Sequence, residues 1–198
     1  MKAIFLDKTI SFLKKYRDYS EDDIEKLAYG LEGIYLTITK LVIIFIMAFI
    51  LKIVKEVCVL LLFFNIIRYT GFGFHAEKSY QCLIFSLLGF VIFPKIMLSI
   101  DIPLFAEIII FIICVISYLL FAPADTVKRP LPNKRKRKIR KIATIIISVI
   151  YIIFFYSINV AWLKVIVLCS LLIEAVVINP LTYKLFGLSY NNYKHYKT

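Results

Sequence analysis

Six long apolar runs dominate this chain, at roughly Ile34–Leu51, Val54–Ile67, Gln81–Ile100, Leu104–Ala122, Ile142–Ile158 and Val165–Leu181. A helix that crosses a bilayer takes about 20 mostly apolar residues. Runs of this length, in a sequence that is 61% hydrophobic, exceed the apolar share of about 45–50% in soluble domains. A water-soluble globular protein is excluded, and the 17 Phe and 13 Tyr exclude disorder. The first two runs are short and separated by Lys52, Lys55 and Glu56. One continuous helix would place these charges in mid-membrane, at about 2.5–3.5 kcal/mol for each cation. Two helices joined by a tight turn are therefore expected. Asp101-Ile102-Pro103 makes a second compact turn. The expected fold is an all-α polytopic membrane protein with about six transmembrane helices.

Ahead of these spans, Ala3, Leu6, Ile10 and Leu13 recur at helical spacing, with Lys8, Lys14, Lys15 and Arg17 elsewhere on the surface. That pattern predicts an amphipathic helix on the membrane surface, and its interrupting charges do not suit a signal peptide. Ser20 and Asp23 are spaced as a capping box opening a second helix. Sidedness follows from Lys and Arg. The stretch Lys128–Lys141 holds nine cations and no acid, so it is expected in the cytoplasm. With six spans, both termini and the segment Arg68–Tyr80 share that side, leaving only Lys52, Lys55, Lys95 and Lys164 of the 25 cations outside. The net charge of +12 then points to an anionic membrane surface or an acidic peptide rather than nucleic acid.

The polar interval after the second run reads Arg68-Tyr-Thr-Gly71-Phe-Gly73-Phe-His75-Ala-Glu77-Lys78-Ser79-Tyr-Gln-Cys82. Gly71 and Gly73 suggest backbone conformations that a helix does not need, hence a loop or re-entrant turn. Ser79 is a candidate N-cap for the third span, making Cys82 the third residue of that helix. A helix N-terminus and a neighbouring His both favour the thiolate, the nucleophilic form. His75 is placed to act as the base. On one straight helix the two positions would stand about 10.5 Å apart along the axis, so His75 must sit on chain that folds back over Cys82. The bland alternative is a chance pairing. Cys58, Cys114 and Cys169 lie inside apolar runs, where Cys is expected as a small buried hydrophobe. There is no CxxC and no second nearby His, so neither a disulfide framework nor a metal or cofactor site is expected.

Gly73-Phe-His75-Ala, Cys82 seven residues after the His, and Ala122-Pro-Ala-Asp125 leading to a Lys/Arg-rich stretch with Pro130-Leu-Pro132 resemble the AgrB family. This is the accessory gene regulator protein B of Gram-positive quorum sensing, and the resemblance covers nearly the whole chain. It implies a single integral-membrane cysteine endopeptidase domain over 1–198, in the cell membrane, that processes an AgrD-like propeptide into a cyclic autoinducing peptide. Residues 1–30 would form cytoplasmic or interfacial helices, 68–82 the catalytic loop and helix start, and 123–141 a cytoplasmic basic loop. The catalytic His falls on His75 and the nucleophile on Cys82. The family's glycine two residues before the His is Gly73, and its arginine closing the preceding helix is Arg68. Where many members carry another basic residue or His after that arginine, this chain has Tyr69 and Thr70.

The remaining polar residues have two readings each. Arg68 is a snorkelling anchor or a substrate clamp. The basic stretch, with Lys134, Arg135 and Lys136, binds anionic lipid or docks the acidic part of a propeptide. Glu32, Glu77, Asp125 and Asn65 are candidates to orient His75. Glu174 lies inside the last span, where a helix–helix hydrogen bond or a protonated carboxyl is expected. His195, in a tail rich in Lys and Tyr, reads as a bystander. A homodimer is the simplest assembly expected of so short a chain. Two non-enzymatic classes compete: a small transporter, or a scaffold that binds a peptide without cutting it. The sequence shows no internal repeat and few intramembrane charges, which a transporter would need.

Overall fold

The computed structural model of the chain describes residues 2–15, 20–74, 78–127 and 130–195. His75 and Glu77 lie outside these, as does the side chain of His195. The architecture is all-α, and the chain divides into two compact units, residues 1–46 and 47–198.

In the first unit, α1 (Lys2–Lys14) precedes α2 (Glu21–Ile50), whose last turn belongs to the second unit. Leu6, Ile10 and Leu13 are partly buried while Asp7, Lys8 and Lys14 are exposed, the expected amphipathic division. The Phe5 ring packs on Tyr35 at 5.4 Å. The predicted capping box is present: the Asp23 amide donates to Ser20 Oγ at 3.2 Å, and the Ser20 hydroxyl donates to Asp23 Oδ2 at 2.8 Å.

In the second unit the expected tight turn falls at Leu51–Ile53, and α3 (Val54–Gly71) follows. Next come α4 (Ser79–Leu87), a π-helical turn (Leu88–Ile92) and α5 (Phe93–Met97), which together make one span. The wide turn stands just before Pro94, whose ring and missing N–H a regular helix would not accommodate. Helices α6 (Leu104–Phe121), α7 (Lys134–Ser157) and α8 (Ala161–Ile178) complete the bundle. Five helices are long and apolar enough to cross a membrane: α2, α4–α5, α6, α7 and α8. Together with α3, 18 residues long but carrying Lys55, Glu56 and Arg68, they account for the six runs. The protein is a multi-pass membrane protein.

Helix α8 is the axis of the bundle, with α3, α5, α6 and α7 packed around it. Small side chains at Cys169, Ser170 and Ala175 let neighbours approach closely, as helices in lipid require. Polar side chains inside the bundle return to backbone carbonyls: Tyr118 Oη donates to Leu171 O at 2.6 Å and Tyr151 Oη to Phe63 O at 2.9 Å. Ile108, Ile112 and Ile116 form the outward face of α6.

Four expectations need correction. Helix α3 runs on through Gly71, because that glycine provides space rather than an unusual φ. Lys78, not Ser79, is the N-cap of α4, so Cys82 is the fourth helical residue and its amide donates to Lys78 O at 3.1 Å. The basic loop is largely helix: α7 starts at Lys134, capped by Asn133 Oδ1 on the Lys136 amide at 3.0 Å. Cations near a helix N-terminus oppose the macrodipole by about 0.3–1 kcal/mol each, but these are exposed and screened, and the cap satisfies a backbone donor near the membrane. Cys58, expected to be buried, is exposed.

Candidate active site

The site forms where α3 ends. Phe72 leaves the helix at φ 63° and Gly73 follows at φ 110°, a region that costs a side-chain-bearing residue about 1–3 kcal/mol. Near a membrane every backbone group needs a protein partner, and the turn supplies them. The Phe72 amide donates to Arg68 O at 3.0 Å, that of Gly73 to Ala124 O at 2.8 Å, and that of Phe74 to Val177 O at 3.2 Å. The Ala124 amide returns to Gly71 O at 2.9 Å, closing a short parallel bridge between Phe72 and Ala124. The Ala-Pro-Ala-Asp motif and the glycine segment thus pair directly.

Arg68, in the last turn of α3, folds its guanidinium over this turn. Its Nη2 donates to Gly73 O at 3.2 Å and to Phe74 O at 2.7 Å. Its Nη1 lies 3.7 Å from Oε2 of Glu174, a wholly buried side chain on α8. Both glycines are fitted to this pair. A Cβ on Gly71 would stand 2.3 Å from Glu174 Oε1, and one on Gly73 would stand 2.1 Å from Arg68 Nη1. A second cation joins from α7: Arg140 Nη1 donates to Tyr69 O at 2.6 Å, with its guanidinium 4.4 Å above the Phe72 ring.

Phe74 is buried in an aromatic cluster. Its ring stacks on Phe186 at 4.7 Å and meets Phe85 edge-on at 6.2 Å, while Phe85 meets Phe186 at 4.5 Å. Phe85 lies three residues after Cys82 on α4, so the two share a helix face. Cys82 itself is half-buried in the first turn.

Asp125 is buried and accepts from three backbone amides, those of Asn192 at 3.0 Å, Tyr193 at 2.7 Å and Leu131 at 3.3 Å. It ties the C-terminal tail to the start of the basic segment. Tyr183, on α9 (Pro180–Leu185), places its hydroxyl 3.1 Å from Ala124 O and 3.2 Å from Asp125 O. Burial pushes this phenol well above its ordinary range, and pushes that of Tyr190 up to about 12 although Arg137 pulls the other way. Both hydroxyls therefore remain donors. Replacing Asp125 with Ala leaves three amides without their charged acceptor, at about 1.5–3 kcal/mol for a charge-assisted bond. Earlier proteolysis after Phe186 and a lower melting temperature in detergent are expected; an unchanged digestion pattern would remove the tethering role.

The family described as Accessory gene regulator B matches residues 6–178 of this chain. A "Putative AgrB-like protein" of Listeria monocytogenes serovar 1/2a is 32% identical over 188 residues, covering 91% of this chain and 90% of the relative. The chain belongs to the AgrB family. A second AgrB-like protein, from Clostridium acetobutylicum, is 29% identical over 188 residues, covering 93% of the chain and 88% of the relative. The "Accessory gene regulator protein B" of Staphylococcus carnosus is 29% identical over 131 residues, or 66% and 69% of the two chains. No solved structure gives a significant match.

In this AgrB-family chain, Arg68 and Gly73 meet in one turn, and the Phe74 ring joins that turn to the α4 face bearing Cys82. Lys134, Arg135 and Lys136 are exposed in the first turn of α7. Asn65 is exposed and donates back to Leu61 O at 2.7 Å. Glu32 lies on α2 within the first unit. Among the described residues no group of three His, Cys, Asp or Glu is arranged to hold a metal ion. Glu174, singled out in the sequence as an acid inside the last span, faces Arg68 of α3 at 3.7 Å, a partner the sequence did not name. Arg140 escaped sequence reasoning: it was one cation among nine, and no local signal separated it from the others.

Proposed function

We propose that this AgrB-family protein is a membrane-embedded cysteine endopeptidase of a quorum-sensing system, acting at the cytoplasmic face on an AgrD-like propeptide. Cys82 Sγ attacks the carbonyl carbon of one peptide bond, and the C–N bond breaks to release the C-terminal tail. His75 takes the thiol proton and returns it to the leaving amine. The product is a thioester on Cys82. A thiol or hydroxyl of the bound peptide then attacks this carbonyl, closing a thiolactone or lactone ring and restoring the Cys82 thiol. The intramolecular nucleophile outruns water because its effective molarity is large, up to about 10⁵–10⁸ M in well-oriented cases.

The observation that carries this reading is the edge-on packing of Phe74 against Phe85 at 6.2 Å. A dyad requires the chain entering position 75 to be non-helical and to approach the Cys82 face of α4. Phe74, covalently joined to His75, does both. Family membership supports the substrate class, and the cations of α7 support the cytoplasmic side.

The test is intact-mass analysis of the wild-type protein in lipid, incubated with a synthetic AgrD-like propeptide, amphipathic at its start and acidic in its tail. A mass increase on Cys82 equal to the N-terminal fragment as an acyl group is expected, with free tail in solution. Bound but uncut peptide would make the protein a receptor or scaffold instead.

A further inference from the structure

We propose that Glu174 is a positioning residue of the peptidase site: by holding the Arg68 guanidinium, it fixes the Gly73–Phe74 backbone from which His75 departs. The proposal rests on the endopeptidase reading and assigns a role to a residue of the last span. Four observations converge on it. Glu174 is wholly buried and its carboxylate faces Arg68 Nη1 at 3.7 Å. Among the described residues, neither carboxylate oxygen nor Arg68 Nη1 has a hydrogen-bond partner, so the contact is chiefly coulombic. The other guanidinium nitrogen binds the carbonyls of both residues that precede His75. The same end of α8 also accepts the Phe74 amide through Val177 O, one of the carbonyls a helix terminus leaves open.

Energetics argue against mere stabilisation. A buried ion pair seldom beats an apolar pair of the same volume, because desolvation offsets the attraction. What it imposes is geometry: the guanidinium cannot swing toward lipid or water without leaving an uncompensated charge in the bundle. A side chain at Gly71 would collide with Glu174 and one at Gly73 with Arg68, so both glycines are needed for the pair to sit against the turn. The turn is thereby held from α8, and a displacement of about 1 Å at a catalytic group costs on the order of a hundred-fold in rate.

The test compares wild type, Glu174→Gln, Glu174→Asp, Arg68→Gln and the double variant Arg68→Gln/Glu174→Gln, all full-length in lipid vesicles at matched folded protein. Tail release from the synthetic propeptide supplies kcat and KM. Glu174→Gln is expected to lower kcat about a hundred-fold with KM unchanged, and Glu174→Asp to recover part of that loss. The double variant is expected to match Arg68→Gln, because Glu174 acts only through the arginine. If Glu174→Gln alone does not fold, Glu174→Asp decides: a lower kcat at unchanged KM supports the positioning role, and a wild-type kcat overturns it. An unchanged kcat in Glu174→Gln, or a further loss in the double variant beyond Arg68→Gln, overturns the positioning role. The underlying reading fails separately, if wild type releases no tail or Cys82→Ala releases it as fast.

Discussion

Cys82→Ala is expected to abolish tail release and to leave no acyl adduct, while the protein accumulates and binds propeptide as wild type does. The expected loss is on the order of a million-fold, the scale seen when a covalent nucleophile is removed from a peptidase, so the readout is absence of product. No other described thiol is placed to substitute. Cys114 and Cys169 are buried in the bundle, and Cys58 is exposed near the opposite end of α3 from Arg68. The substitution removes only a sulfur from a half-buried position in the first turn of α4, and Ala is the best helix former. The fold is therefore expected to be retained, which an unchanged melting curve in detergent verifies. Continued tail release by the Ala variant would show that the peptide is cut elsewhere, or by another enzyme.

Gly73→Ala is expected to be strongly damaging although it adds a single methyl group. At φ 110° the new side chain is strained by about 1–3 kcal/mol wherever it points. Its Cβ would stand 2.1 Å from Arg68 Nη1, 2.7 Å from Val177 Cγ1 and 3.0 Å from the Val177 carbonyl. The arginine could yield alone, but it is held by Glu174 and by two carbonyls of the turn itself, and the α8 backbone does not yield. Relief must come from moving Gly73 and Phe74, which misplaces His75. Processing should fall by about a hundred-fold or more, and the melting temperature should drop as well. Gly30→Ala is the control: its added Cβ meets nothing within 4 Å inside exposed α2, and Ala there is favoured by about 1 kcal/mol. Equal processing by Gly73→Ala and wild type would remove the turn from the machinery.

The sequence by itself determined what depends on neighbours along the chain. Apolar runs of membrane length specify spans because an unpaired backbone group is intolerable in lipid, and only helix satisfies it locally. The charges at Lys52, Lys55 and Glu56 required a break before α3, and the capping box at Ser20 marked the start of α2. Gly73 was legible as a point of unusual backbone, and Cys82 as a residue of a first helical turn. Gly71 was misread as a loop residue for an instructive reason: a glycine reports either a φ that others avoid or a space that others cannot enter, and sequence does not say which. Its neighbour is Glu174, far along the chain.

Tertiary structure decided the rest. The pairing of Arg68 with Glu174, of Arg140 with the Tyr69 carbonyl, and of Asp125 with the tail amides joins segments that no periodicity links. In a soluble protein, polarity would have marked which side of each helix faces inward. In a bilayer, lipid and neighbouring helices are equally apolar, so an inward Ile and an outward Ile read alike. The few polar groups within the bundle therefore carry the information about helix contacts, and each becomes meaningful only when its partner is in place.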